Sequence, residues 1–176
     1  GNLLFDQGRY EESISYGRRA LALREKLLGP EHHQVANSLN SIANALSALR
    51  RTSEAISTYQ RALAIQRKSL GADSPVLAST VNNLGNAFLA EKRFDAAEAA
   101  FREAYAIRLR AFGPDHPSLA SAMHNLGNLH ESRGKTAVAL DEYQRSLALT
   151  ERLLGPDHPL VLENLGSIGD LERRQG

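Results

Sequence analysis

Apolar residues in this chain recur at spacings of three and four, the period of a helix that buries one face. Leu77, Val81, Leu84 and Phe88 form one such stripe, and the pattern predicts a helix over 75–90. Glu91-Lys92-Arg93 breaks it as a basic turn, and a second stripe follows at Ala97, Phe101, Ala104 and Ile107. This second helix is predicted to open at Asp95, with Glu98 at capping-box spacing, and to end near Phe112-Gly113, where glycine supplies a left-handed stop. Pro117 then falls in the first turn of the next helix, where a proline costs least. No alternating β-branched run predicts a strand.

The pattern repeats. Leu28-Gly29-Pro30-Glu31-His32 returns as Leu70-Gly71-Ala72-Asp73-Ser74, as Phe112-Gly113-Pro114-Asp115-His116 and as Leu154-Gly155-Pro156-Asp157-His158, 42 residues apart each time. Whole units therefore run 28–69, 70–111 and 112–153, with partial units at 1–27 and 154–176. A single helical hairpin cannot bury its apolar face, but stacked hairpins can, each against its neighbours. Small residues recur where helices must approach closely: Ala43, Gly85, Gly127 and Gly169 in the first helices, Ala55, Ala97 and Ala139 in the second. The expected fold class is all-α, an α-solenoid of stacked antiparallel helix hairpins, forming one array over 1–176 whose residues 154–176 serve as a partial unit or capping helix. Because both ends cut across a unit, the chain reads as a fragment of a longer array.

The columns Leu84-Gly85, Phe88, Ala97, Phe101 and Ala104, with Leu126-Gly127, Ala139 and Tyr143, resemble the tetratricopeptide repeat signature in order and spacing. The 42-residue period, Asn82-Asn83-Leu84 and the Gly-Pro-Asp-His-Pro connector resemble the variant found in kinesin light chains and many bacterial signalling proteins. The resemblance implies a superhelical scaffold that recognises a protein or peptide, with the first helix of each hairpin lining the concave surface. Gly17 departs from the aromatic column of Tyr59, Phe101 and Tyr143, and Ser13 and Ser146 replace alanine, so the outer units are expected to pack less tightly.

Composition narrows the function. Lys plus Arg number 21 against 20 Asp plus Glu, a net charge of +1, which lacks the electrostatic footprint of a nucleic-acid binder. No apolar run is long enough to span a bilayer. Gly1-Asn2-Leu3-Leu4-Phe5-Asp6 has neither the basic start nor the cleavage site of a secretory leader. With no cysteine, disulfides and thiolate metal sites are excluded, and a reducing cytoplasm fits.

Charge is also distributed unevenly. Residues 33–49 and 76–90 contain no Asp, Glu, Lys or Arg, whereas Arg61, Arg67, Lys68, Arg102, Arg108, Arg110 and Arg145 lie on the second helices. Opposite the core columns of the first helices run Asn37/Ser79/Ser121, Asn40/Asn82/His124 and Asn2/Asn44/Asn86/Asn128. Asparagine is a poor helix former, and its amide both donates and accepts, which suits an extended peptide backbone. Asn2, Asn37, Asn40, Asn44, Asn82, Asn86, His124 and Asn128 are therefore the expected groove residues. Asn83 and Asn125 lie nearer the neighbouring hairpin and are read first as bonding backbone between helices, with contact to the peptide as the alternative. His130, in the column of Leu4, Leu46 and Phe88, is expected to be a partly buried, satisfied histidine.

His32, His116 and His158 each stand beside an acid, but in connectors one unit apart, too far to converge on one ion. They read as helix-start residues. No phosphate loop, serine elbow or His-x-x-x-His pair suggests catalysis, so no enzyme activity, metal or cofactor is expected. The groove has no Lys or Arg for a carboxylate clamp or for phosphates. The leading expectation is a non-catalytic scaffold that holds an extended polypeptide, without nucleic-acid or membrane partners. The alternative is a self-assembling or spacer segment of a larger signalling protein, stacking head to tail or by swapped helices through its under-covered N-terminal end.

Overall fold

The computed structural model describes residue 5 and residues 7–175. Its contacts divide the chain into two compact units, residues 1–93 and 94–176. The first unit holds α1 (Tyr10–Leu28), α2 (His33–Ala48), α3 (Thr52–Leu70) and α4 (Leu77–Ala90). The second holds α5 (Phe94–Phe112), α6 (Pro117–Ser132), α7 (Thr136–Leu154) and α8 (Pro159–Gln175). Within each unit every helix packs on the next as an antiparallel neighbour. The fold is all-helical, of the stacked-hairpin type that the repeat implies.

Cores form where the stripes meet. In the first unit Val35, Ala36 and Leu39 of α2 pack on Ala62 and Ile65 of α3, with Leu21 of α1 against them. In the second, Leu119, Ala120 and Met123 of α6 pack on Leu149 of α7, and Ala139 and Tyr143 of α7 pack on Leu171 of α8. Two substitutions in the repeat are absorbed locally. A Cβ on Gly17 would lie 2.8 Å from Ile42 Cγ1, so Ile42 already occupies the space beside the missing aromatic. Ser146 is fully buried and donates to the Ala120 carbonyl at 2.9 Å.

The connectors explain the histidines. Nδ1 of His32, His116 and His158 accepts the backbone N–H two residues on, at 3.3, 3.3 and 3.2 Å, satisfying an otherwise orphaned donor of α2, α6 and α8. The acids beside them turn elsewhere: Glu31 pairs with Lys68, and Asp115 with Arg152, closing each hairpin. Among the described residues no cluster of three His, Cys, Asp or Glu could hold a metal.

Ser74 stands where the other connectors have histidine, and α4 starts at Leu77 with no side-chain cap, two residues later than the hydrophobic stripe predicts. We expect His116→Ala to cost about 1 kcal/mol, a typical cap loss. Ser74→His should lengthen α4 toward Pro75 and raise stability by a comparable amount. Urea unfolding followed by circular dichroism checks both, and identical midpoints for His116→Ala and the parent would make the ring a bystander.

Two further expectations need correction. The capping box at Asp95 does not form: α5 begins one residue earlier, so Asp95 sits inside the first turn and Glu98 just beyond it, and Arg133 reaches Asp95 (2.6 Å) and Glu98 (2.7 Å) instead. The glycine stop expected at Phe112-Gly113 is present, with α5 ending at Phe112 and Gly113 at φ 78°; the stops at Gly29, Gly71 and Gly155 combine φ of 84–87° with ψ of 156–165°, a region essentially only glycine enters. His130 is buried as expected, but its Nδ1 has no partner, and burial holds its pKa below the usual histidine range.

Another orphan arises from the repeat. Arg24 donates to Ser38 Oγ, whereas the same two positions two repeats later are Arg108 and Ala122. Arg108 Nη1 is accordingly buried without a partner, and desolvation lowers the Arg108 pKa.

Candidate functional site

In the first unit the polar face of α2 and α4 opens into a pocket of about 490 Å³. Asn44, Ser47 and Ala48 of α2, Asn83, Asn86, Ala87 and Ala90 of α4, Thr52 and Tyr59 of α3, and Phe5 line it. None of these carries a charge, in keeping with the charge-free stretches of the sequence.

A half-buried amide must find partners, and these amides find several within the protein. Asn44 Oδ1 accepts from the Tyr59 hydroxyl at 2.5 Å and from Asn83 Nδ2 at 3.2 Å. With its oxygen taken, Asn44 has only N–H donors left to offer. Asn40 Nδ2 donates to Thr80 Oγ1 at 2.8 Å, while its Oδ1 is buried without a partner. Ser47 Oγ, on the pocket wall, is also buried, beside the Tyr59 hydroxyl. Burial pushes the Tyr59 hydroxyl above the usual tyrosine range, so it stays a donor.

The second unit repeats the motif with changes. The Tyr143 hydroxyl donates between Asn128 Oδ1 (2.6 Å) and Glu131 Oε2 (2.8 Å). Glu131 stands where the first unit has Ser47, and Arg174 pairs with it. His124 Nδ1 lies 3.0 Å from Asn164 Oδ1, and Asn164 Nδ2 donates to the Leu160 carbonyl at 2.7 Å. Since Asn164 presents an oxygen, His124 must carry its proton on Nδ1 there.

The expected groove residues thus separate into groups. Asn37 and Asn86 are exposed, and Asn82 and Asn125 are half-buried. Asn40, Asn44, His124 and Asn128 are engaged by side chains of their own unit. Asn83 bonds the Asn44 side chain rather than the backbone, because the column of Asn44 on the preceding first helix lies within its reach. Asn2 lies outside the described residues.

Sequence reasoning missed Tyr59, Tyr143, Ser47, Thr80 and Asn164 as members of the face. The two tyrosines carried a signal: each follows its asparagine by fifteen positions, and a buried hydroxyl needs a polar partner. Thr80 and Asn164 fall in a column that is otherwise Ser38 and Ala122, and nothing in the chain order marks it.

Models of the tetratricopeptide repeat match residues 1–68, 50–110 and 76–151. The chain belongs to the tetratricopeptide repeat family. Such domains commonly bind proteins and are generally non-catalytic.

Solved structures agree on the fold of this tetratricopeptide repeat protein. It is similar to a Podosopora anserina protein assigned as a kinesin light chain with nearly identical TPR-like repeats, at a TM-score of 0.82 and 22% identity over 99% of this chain and 83% of that one. It is also similar to BtubC (BKLC) of P. vanneervenii, at 0.86 and 25% identity over 99% of this chain and 70% of that one. Apo RapI gives 0.79 with 15% identity over 98% of this chain and 46% of that one. No curated protein matches the chain significantly. No helix among the described residues is long and apolar enough to cross a membrane.

Proposed function

We propose that the first-helix face of this tetratricopeptide repeat protein holds an extended polypeptide, and that its amides act mainly as donors to the ligand's carbonyl groups. The observation that carries this reading is the Tyr59–Asn44 hydrogen bond: it occupies the amide oxygen and leaves Nδ2 to face a ligand. The uncharged lining and the exposed Asn86 support it, since a peptide backbone brings carbonyls and N–H groups but no charge.

Asn44→Asp tests the reading sharply. Aspartate keeps an acceptor for Tyr59 while removing both outward donors, so the fold should persist and affinity should fall about tenfold, the worth of one good hydrogen bond with repulsion added. Peptides selected from a displayed nonapeptide library on the parent protein serve as the probe, with affinity read by fluorescence anisotropy. Undiminished binding by Asn44→Asp, or by the Asn44, Asn86 and Asn128 triple alanine variant, would end the proposal.

Self-assembly is the second reading. It draws on Leu23 and Leu27 of α1 and Leu162 and Leu165 of α8, all large apolar side chains left exposed. Light scattering across a concentration series decides it: growth in mass favours assembly, and a persistent monomer opposes it.

A further inference from the structure

A different cleft lies between second helices of consecutive hairpins, and it occurs in both units at positions two repeats apart. In the second unit it is a space of about 220 Å³ lined by Arg102, Tyr105, Met123, Leu126, Glu142 and Arg145. In the first unit the equivalents are Arg18, Leu21, Leu39, Ile42, Thr58 and Arg61, joined by Leu46, Glu54 and Ser57, and the space is about 410 Å³. Each cleft has an apolar floor from the helix between and an arginine on either rim.

The two clefts differ in where their carboxylates come from. In the second unit the protein supplies its own. Glu142 lies in the cleft, only 14% exposed, with Oε2 3.3 Å from Arg145 Nη1, and Arg102 is held by Glu98 at 2.9 Å. Burial keeps the Glu142 carboxyl above the usual range, the expected cost of inserting an acid there. In the first unit Thr58 replaces Glu142 and Ile14 replaces Glu98. Thr58 satisfies its hydroxyl on the Glu54 carbonyl at 2.7 Å, and both Glu54 oxygens are taken by Arg51 at 2.6 and 2.8 Å. Arg61 pairs with Glu25. Arg18 is exposed; Glu54 lines the same cleft and feels its charge, but the Glu54 oxygens are bonded by Arg51, which leaves the Arg18 guanidinium for a ligand.

We infer that the first unit's outer cleft docks an acidic segment of a partner protein, which sets one large apolar side chain on the Leu21–Leu39–Ile42 floor and pairs a carboxylate with Arg18. The second unit shows the arrangement already filled from within: a carboxylate on a short aliphatic stem, inside the cleft, against a rim arginine. The first unit keeps the floor and the arginines, lacks that side chain and has nearly twice the space. Surface ion pairs such as Arg61–Glu25 contribute little and yield readily to a ligand. This site shares α2 and α3 with the Asn44 pocket but none of its lining residues, and it does not depend on the reading given to that pocket.

The test uses the intact chain and an acetylated, amidated peptide, Ser-Glu-Leu-Glu-Phe-Glu-Ser, with a twin that has lysine for each glutamate. Backbone amide NMR shifts should follow the acidic peptide at Arg18, Leu21 and Thr58 and ignore the lysine twin. Arg18→Gln should weaken binding about three- to fivefold, as for a surface ion pair. Thr58→Glu, which imports the second unit's own carboxylate, should weaken it about tenfold or more through like charge and lost space. Asn44→Asp should leave it unchanged. Equal binding of the lysine twin, indifference to Thr58→Glu, or no binding of the acidic peptide would overturn the proposal. So would shifts at these residues with decanoate alone, which would point to a lipid anion, or with protein concentration alone, which would point to a second copy.

Discussion

Gly127→Val is expected to lower the unfolding free energy by about 3 kcal/mol, the upper end of what overpacking a well-filled core costs. The reason is a single close approach. A Cβ at position 127 would meet Tyr143 Cε1 at 2.5 Å and Cδ1 at 2.6 Å. That ring cannot move aside, because Tyr143 is fully buried and its hydroxyl is fixed by Asn128 and Glu131. Gly169, in the same column one repeat later, has nothing within 4 Å of its would-be Cβ. Gly169→Ala should therefore raise stability by about 0.5–1 kcal/mol, the gain from removing a helix-interior glycine. Urea unfolding of the two variants gives opposite signs if the contact with Tyr143 matters. A Gly127→Val protein as stable as the parent would show that α6 and α7 can separate freely.

Tyr59→Ala should cost about 3–5 kcal/mol, as for other large aromatic truncations in cores, because the side chain is 2% exposed and leaves a cavity between α2 and α3. Tyr59→Phe isolates the hydroxyl. It keeps the ring, loses the 2.5 Å bond to Asn44, and should cost about 1 kcal/mol, since Asn44 Oδ1 still accepts from Asn83. The phenylalanine variant has a second expected consequence. Its Asn44 amide is held by the 3.2 Å bond from Asn83 without the shorter one from Tyr59, so it is less firmly oriented and its affinity for the selected peptides should fall even where the protein is fully folded. Chemical denaturation separates the two variants, and peptide binding at low temperature shows whether the hydroxyl orients the amide. A Tyr59→Phe protein with unaltered binding would reduce the tyrosine to a filler.

Much of the fold was legible because it is periodic. Leu77, Val81, Leu84 and Phe88 marked the buried side of α4, and all four are buried. The recurring Gly-Pro-Asp-His segments marked the connectors, and their histidines proved to be caps. Less legible was which polar residues remain available to a ligand. Asn40 and Asn44 sit on the face opposite the core stripe, as expected, yet Thr80, Tyr59 and Asn83 reach them from other helices. Those partners lie fifteen to forty positions away, beyond any local pattern. The outer clefts were missed for the same reason: Arg18, Leu39 and Thr58 belong to three helices and share no spacing.

Repetition along the chain was enough to dictate helices, connectors and the buried stripe, because each of these depends on neighbours within a turn or two. It also placed an uncharged strip along 33–49 and 76–90, which composition alone reveals. Packing decided the rest. Whether an asparagine presents its oxygen or its N–H groups depends on a tyrosine hydroxyl from the next helix. Whether an arginine is paired or free depends on a carboxylate that one repeat carries and another lacks. These are contacts between side chains distant in sequence, and they exist only once the hairpins are stacked.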